Sequence, residues 1–262
     1  MKKTKSSKKP GAFRILALIF ACVSLIAGLL PTLSNLYYKL FKLSEAEKIF
    51  YEYVESLGGQ RDVSESKNIK DPTVNLSPEL RDLYWQMVEY NEKLYEEGQK
   101  DITDPFTVQQ PSFDLKQFGF ADNVIGFIEI PVLKLKLPLY LGASTENMAK
   151  GAVHMSQTSL PIGGENTNCV IAAHRGTIGC GVMFKYINKI EVGDYVYITN
   201  FCEKLTYRVC EIEIISPYDI DKIMIQDGRD MVTLFSCNPL GQHIERYVVY
   251  AERVENQEEA TN

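Results

Sequence analysis

The first pattern along the chain is an apolar run at residues 15–33, ILALIFACVSLIAGLLPTL, which carries no charged side chain. About 20 apolar residues suffice to cross the ~30 Å hydrocarbon core of a bilayer, so the run predicts a transmembrane anchor. Residues 1–14 contain lysines and an arginine but no acid, which predicts a cytoplasmic basic tail and a body on the outer face of the cell membrane. A cleaved signal peptide is the alternative, although no A-x-A-like site follows the run.

Two segments after the apolar run have the spacing of amphipathic helices. The motif SEAE at residues 44–47 fits a capping box, which predicts a helix over 45–57. Serine, proline and glutamate at 77–79 are typical of a helix start, and the 3,4 spacing of apolar residues after them predicts a second helix over about 78–97. Together they form an extracellular helical segment, residues 34–98, whose simplest role is support.

From Val124 onward the apolar period changes to two, most clearly at residues 132–137, where lysines alternate with apolar side chains. Further strand-like runs are separated by turn signals, and they are Cys169–Ala173, Asp194–Thr199, Leu205–Ile215, Met231–Ser236 and Ile244–Val254. The pattern predicts an all-β fold, a barrel or sandwich of seven or eight strands over residues 118–255. A loop at 99–117 precedes this domain, and a short acidic tail at 256–262 follows it.

Composition and charge mainly exclude certain partners and kinds of site. The net charge of −6 includes the basic start of the chain, so the rest is more acidic still, which argues against a nucleic-acid partner. None of the six cysteines forms a C-x-x-C pair near histidines, so no metal site and no cofactor is indicated. Cys202 and Cys210 flank a short turn, and a disulfide between them is conceivable but disfavoured.

Cys237 is the candidate nucleophile. It lies where the apolar strand ending at Ser236 meets the turn Asn-Pro-Leu-Gly at 238–241, a position that exposes a side chain at a barrel rim. A thiolate is a strong nucleophile but needs a cationic or proton-accepting neighbour. A cysteine taken alone is more often a small buried hydrophobe than a nucleophile.

Arg246 and a histidine complete the candidate site. The turn after Cys237 reverses the chain, so Cys237 and Arg246 can face each other across an antiparallel hairpin, where arginine can favour a thiolate or stabilise an oxyanion. A proton carrier is still needed, and histidine titrates near neutral pH. His174 at a strand end is the best candidate, His154 is the main alternative, and His243 lies within the turn itself.

These residues resemble a known family. TLFSC at 233–237 resembles the T-L-x-T-C strand of sortases, with serine in place of the last threonine and an arginine at the family's spacing. LPIGGEN at 160–166, leading into AAHRG at 172–176, is similar to the segment around the catalytic histidine of class C, pilus-building sortases. The resemblance implies a sortase β-barrel, with Cys237 as nucleophile, His174 as general acid and base, and Arg246 holding the substrate or the oxyanion.

Asp104, Pro105 and Phe106 resemble the Asp-Pro-aromatic lid that class C sortases carry before the barrel. The resemblance implies that Asp104 pairs with Arg246 and that Phe106 covers the Cys237 sulfur. An ordinary Asp-Pro turn is the alternative. Class C sortases commonly also have a C-terminal membrane helix, whereas here acidic residues follow the last predicted strand.

The resemblance further implies a reaction and its partners. Such an enzyme cleaves an LPXTG-like sorting signal through a cysteine thioester and joins the acyl group to a pilin lysine, so the expected partners are pilins or surface proteins. Two other functions stay open: anchoring of surface proteins to cell-wall peptidoglycan, and non-catalytic, membrane-tethered pilus assembly. The motif at 104–106 favours the pilus-building reaction over anchoring.

Overall fold

Helices occupy the N-terminal part of the chain. The computed structural model describes residues 12–37, 43–59, 71–100, 102–104, 110–120, 122–176, 182–240, 242 and 244–254. The first three helices are α1 (Ala12–Tyr37), α2 (Leu43–Ser56) and α3 (Pro78–Glu96). The helices predicted over 45–57 and 78–97 are therefore confirmed as α2 and α3, with bounds that differ by one or two residues.

α3 begins and packs as its sequence indicates. Ser77 Oγ accepts a hydrogen bond from the Leu80 backbone N–H at 3.2 Å, and Pro78 occupies the first turn, where no intrahelical N–H bond is lost. One face of α3 is buried, and α2 packs on the barrel through Phe50, whose ring meets that of Phe127 edge to face at 5.4 Å. Both helices thus support the domain that follows them.

The predicted transmembrane anchor at residues 15–33 is contradicted. Across the described ranges, no helix has the length and hydropathy that crossing a membrane requires. The predicted anchor and the cell-membrane localisation drawn from it are therefore wrong.

Eight strands close into a barrel in the order β1-β2-β3-β4-β7-β8-β6-β5. They are β1 (Val124–Ile130), β2 (Leu135–Leu141), β3 (Ala152–His154), β4 (Thr167–Ala172), β5 (Tyr195–Thr199), β6 (Lys204–Ile215), β7 (Asp230–Asn238) and β8 (Glu245–Arg253). All described strand pairs are antiparallel except β2 with β3 and β4 with β7. The seven- to eight-stranded barrel is confirmed with eight strands.

The alternating segment at residues 132–137 differs from its prediction. Pro131 begins a single 3-10 turn ending at Leu133, Lys134 follows in the left-handed conformation with φ 49°, and β2 starts only at Leu135. The lysines alternate as on a strand, but proline removes a backbone donor and the chain turns here instead. A further helix, α4 (Thr145–Lys150), lies between β2 and β3 and was not predicted.

The core of the barrel is largely apolar, and a buried polar link joins the parallel strands β4 and β7. Thr233 Oγ1 on β7 donates to Asn168 Oδ1 on β4 at 2.8 Å, and Asn168 Nδ2 donates to the Ile223 carbonyl at 2.9 Å. Buried polar groups are costly unless they are bonded, so this link favours one register of β4 against β7. That register sets the relative positions of the residues beyond each strand.

All the cysteines that the structure describes are free thiols. Cys202 is buried and Cys210 is exposed, so the conceivable disulfide between them is not formed. Cys180 lies outside the described residues.

Candidate active site

Three strand ends meet at one end of the barrel. Ala172 pairs with Phe235 in the parallel register of β4 and β7, so His174 and Cys237 are each two residues further along neighbouring chains. Side chains two residues apart share a face, which directs both residues to the same side. On the other side of β7, Cys237 pairs with Arg246 of β8. The antiparallel hairpin predicted to bring Cys237 opposite Arg246 is confirmed.

Hydrogen bonds extend the pairing of β4 with its neighbours up to His174. The Ala173 N–H donates to the Phe235 carbonyl at 3.3 Å, and Ser236 Oγ donates to the Ala173 carbonyl at 2.8 Å. The Phe184 N–H donates to the His174 carbonyl at 3.0 Å. The backbone of the half-buried His174 is therefore fixed by hydrogen bonds to β7 and to the segment that contains Phe184.

The Cys237 thiol is buried, with 3% of the residue exposed. Burial raises the pKa of Cys237 to about 11, while the Arg246 guanidinium opposes the shift, the Asp104 carboxylate adds to it, and the Arg175 guanidinium also lowers it. The thiol is consequently protonated near neutral pH in this conformation. Activation would require less burial of the sulfur or removal of the Asp104 charge.

Asp104 lies directly against Arg246. Arg246 Nε donates to Asp104 Oδ1 at 3.2 Å, and Arg246 Nη2 contacts Asp104 Oδ2. Arg246 Nη1 donates to the Glu245 carbonyl at 2.9 Å. A two-point contact between guanidinium and carboxylate is a strong, oriented interaction, so Arg246 is occupied in this conformation. Pro105 and Phe106, the other two residues of the predicted lid, lie outside the described residues.

His154 occupies a different environment from His174. Its Nε2 atom lies 3.0 Å from the Ser159 carbonyl and 3.2 Å from the Thr158 carbonyl, and the residue is 1% exposed. Burial lowers the pKa of His154 to about 4, against the opposing effect of these backbone bonds. The imidazole is therefore neutral near pH 7 and committed to the interior. His243, the third histidine, lies outside the described residues.

Arg175 is a site residue that the sequence patterns did not single out. Its Nη1 donates to the Cys237 carbonyl at 3.0 Å and also contacts Asn238 Oδ1. Its guanidinium carbon lies 5.3 Å from the centre of the Tyr247 ring. The only sequence signal was its position beside His174, because the contacts depend on pairing between distant parts of the chain.

A metal site is not apparent in the described part of the chain, where no three His, Cys, Asp or Glu side chains are grouped as ligands. The site instead combines the Cys237 thiol with the guanidinium groups of Arg246 and Arg175 and the carboxylate of Asp104. Such a set suits nucleophilic attack on a carbonyl carbon with cationic stabilisation of the resulting oxyanion.

Comparison with known proteins agrees with this geometry. Residues 128–254 match the family model described as a sortase domain. Sortase D of Bacillus subtilis is 27% identical over 132 residues, covering 49% of this chain and 63% of the relative, which is less than two thirds of its length.

Two solved structures extend the likeness beyond the barrel. The structure titled "Sortase C1 of GBS Pilus Island 1" is similar with a TM-score of 0.66 and 26% identity, covering 84% of this chain and 95% of that one. Sortase C from Clostridium perfringens SM101 has a TM-score of 0.58 and 31% identity, covering 80% of this chain and 99% of that one.

Proposed function

The chain belongs to the sortase family of cysteine transpeptidases, and from this premise we propose that it joins pilin subunits through a Cys237 thioester. The observation that carries the proposal is the convergence of Cys237, His174 and Arg246 at one end of the barrel. The likeness to a sortase C1 of a pilus island supports the pilus-building type.

In the first half of the proposed reaction, the Cys237 thiol gives its proton to His174 and the sulfur attacks the backbone carbonyl of an LPXTG-like sorting signal. A C–S bond forms, the amide C–N bond breaks, and His174 gives a proton to the departing amine. Arg246 donates hydrogen bonds to the oxyanion that develops on the attacked carbonyl. The enzyme then carries the acyl group as a thioester.

In the second half, the side-chain amine of a pilin lysine attacks the thioester. His174 accepts the proton lost by the amine, an isopeptide bond forms, and the C–S bond breaks to restore Cys237. Because each product can be the donor or acceptor in a further cycle, a polymer grows. Pilins or surface proteins with LPXTG-like signals are the proposed partners.

The ion pair between Asp104 and Arg246 supports a lid formed by Asp104, Pro105 and Phe106. A guanidinium held by a carboxylate cannot donate the same N–H groups to a substrate oxyanion. The described conformation therefore corresponds to a resting enzyme in this proposal. Opening would release Arg246 and, through loss of burial and of the Asp104 charge, lower the pKa of Cys237.

The acceptor amine decides between the pilus-building and anchoring reactions. The purified chain is incubated with a sorting-signal peptide and, in parallel, a pilin domain or a peptidoglycan stem-peptide amine, and mass spectrometry identifies the linkage. We expect a peptide joined to a pilin lysine, and no product with Cys237→Ala. Cys210→Ala is the matched control, because Cys210 is exposed and lies outside the site.

Two other outcomes of this experiment would assign a different function. Product formed only with the stem-peptide amine would assign the anchoring reaction. Failure of the wild-type chain to cleave any sorting signal would leave non-catalytic pilus assembly as the remaining function.

A further inference from the structure

Arg175 links the end of β4 to the hairpin between β7 and β8. It follows His174 directly in sequence, only 9% of the residue is exposed, and its Nη1 donates to the Cys237 carbonyl at 3.0 Å. The same nitrogen contacts the side-chain oxygen of Asn238. One arginine thus contacts both the backbone of the proposed nucleophile and the side chain of Asn238, the last residue of β7.

The contacts continue from Asn238 to the other strand of the hairpin. Asn238 Nδ2 donates to Glu245 Oε2 at 2.9 Å, and the Glu245 carbonyl accepts from Arg246 Nη1 at 2.9 Å. A continuous series of polar contacts therefore runs from Arg175 through Asn238 and Glu245 to Arg246. It connects the strand end that bears His174 with those that bear Cys237 and Arg246.

The Tyr247 ring provides a flat surface for the guanidinium. Tyr247 pairs with Ser236 across β7 and β8, and the guanidinium carbon of Arg175 lies 5.3 Å from the ring centre. A planar guanidinium can stack on an aromatic face while its edge donates hydrogen bonds, whereas a lysine ammonium is a point donor. Arginine therefore fits this position in a way that lysine does not.

We propose that Arg175 is a positioning residue that fixes Cys237 beside His174 and supplies a second cation to the thiol. This inference rests on the proposed transpeptidation. It adds that Arg175, which is not one of the three proposed catalytic residues, controls both the geometry and the charge at the Cys237 sulfur.

The charges at the site indicate why a second cation matters. Arg246 is paired with Asp104 in this conformation, and the Asp104 carboxylate itself raises the pKa of Cys237. Arg175 lowers the pKa of Cys237 and has no carboxylate partner among the described residues. Its buried Nε also has no hydrogen-bond partner in the part of the chain that the structure describes. Its charge is therefore available to the thiol even while Asp104 holds Arg246.

Two substitutions separate the geometric role from the electrostatic one. Arg175→Lys keeps the charge but loses the planar fork, so we expect the thiol pKa to stay near the wild-type value while kcat for acylation falls about 10- to 100-fold with little change in KM. Arg175→Gln loses both, so we expect a similar fall in kcat and a higher thiol pKa. The pKa is read from the pH dependence of iodoacetamide alkylation, and kcat from cleavage of a sorting-signal peptide.

Asn238→Ala removes the side chain that joins Arg175 to Glu245 and leaves the Arg175 guanidinium in place. We expect a lower kcat and an unchanged thiol pKa, so this variant keeps the test decisive if Arg175→Gln does not fold. Arg208→Gln is the control, because Arg208 is an exposed arginine on β6 that donates to the Gly193 carbonyl away from the site.

The inference is overturned if Arg175→Lys and Asn238→Ala match the wild type in kcat, or if Arg175→Gln leaves the thiol pKa unchanged. A common loss of thermal stability with an unaltered pH profile in all variants would also overturn it, since that result indicates a structural role only. Failure of the wild-type chain to form an acyl-enzyme is a distinct result, because it rejects the proposed function itself.

Discussion

His154 lies at the end of β3 and His174 lies just beyond the end of the neighbouring strand β4, yet the two histidines differ in burial and in their neighbours. His154, the last residue of β3, is fully enclosed and directs Nε2 at the carbonyls of Thr158 and Ser159. His174, two residues beyond the end of β4, is half-buried next to Cys237 in the strand register. A histidine just beyond a strand end is therefore accessible for chemistry, whereas a histidine paired within the sheet serves the structure of the barrel.

The two regions also differ in charge. The Nε2 atom of His154 contacts two backbone carbonyls and the Thr158 hydroxyl, whereas the thiol of Cys237, the neighbour of His174, is influenced by Arg246, Asp104 and Arg175. Charged neighbours permit the protonation state of a site to change when one of them moves. Movement of one of these charges would therefore change the protonation state of Cys237.

The largest expected effect comes from exchanging each imidazole for an amide. In the proposed mechanism, His174→Gln should lower the acylation rate by about 10²- to 10⁴-fold, because a general acid is lost. His154→Gln should leave the rate per folded molecule near the wild-type value. Single-turnover cleavage of a sorting-signal peptide, corrected for folded fraction by circular dichroism, measures both. Equal losses in the two variants would remove the distinction between the two histidines.

A smaller effect is expected when the charge next to the site is altered. Asp104→Asn removes a carboxylate that raises the pKa of Cys237 and that occupies Arg246, so iodoacetamide should alkylate Cys237 faster, by about tenfold near neutral pH if the pKa falls by one unit. Asp194→Asn is a matched control, since Asp194 accepts from the Glu191 N–H in a distant turn. Unchanged alkylation in Asp104→Asn would argue against the lid.

The remaining effect concerns the free energy of unfolding, and not the reaction rate, in the region of His154. Because the pKa of His154 falls from 6.5 to about 4 in the folded protein, the unfolded chain binds a proton that the folded chain excludes between these values. Stability should decline as pH falls through this window, by up to about 3 kcal/mol from this group. In His154→Gln that contribution should vanish, and urea unfolding at several pH values measures the difference. If the difference in unfolding free energy between the wild type and His154→Gln does not vary with pH, the burial of a neutral imidazole is contradicted.

The sequence predicted the contacts that arise within short stretches of chain. Nine residues and an intervening turn were enough to place Cys237 opposite Arg246, and capping residues such as Ser77 marked the start of α3. The parallel pairing of β4 with β7 joins residues more than 60 positions apart, so no local pattern indicated it. Arg175 was missed for the same reason, since its contacts exist only after that pairing has formed.

Other differences come from single residues that override a pattern. Pro131 and the left-handed Lys134 replaced the first part of an expected strand by a turn, although the alternation of lysines continued through it. The apolar run at 15–33 fits the composition of a membrane span, but in the described residues no helix meets the requirement. The division of the chain into helical segment, loop and barrel, with its exact boundaries, stays a prediction.

Mapping the covalent intermediate tests most directly whether Cys237 is the nucleophile. The wild-type chain is mixed with a sorting-signal peptide in the absence of an acceptor amine, quenched in acid, digested and analysed by mass spectrometry. We predict that the acyl group is on Cys237 and on no other cysteine, and that it is absent in Cys237→Ala. An acyl group on a different residue, or one that persists in Cys237→Ala, would contradict it.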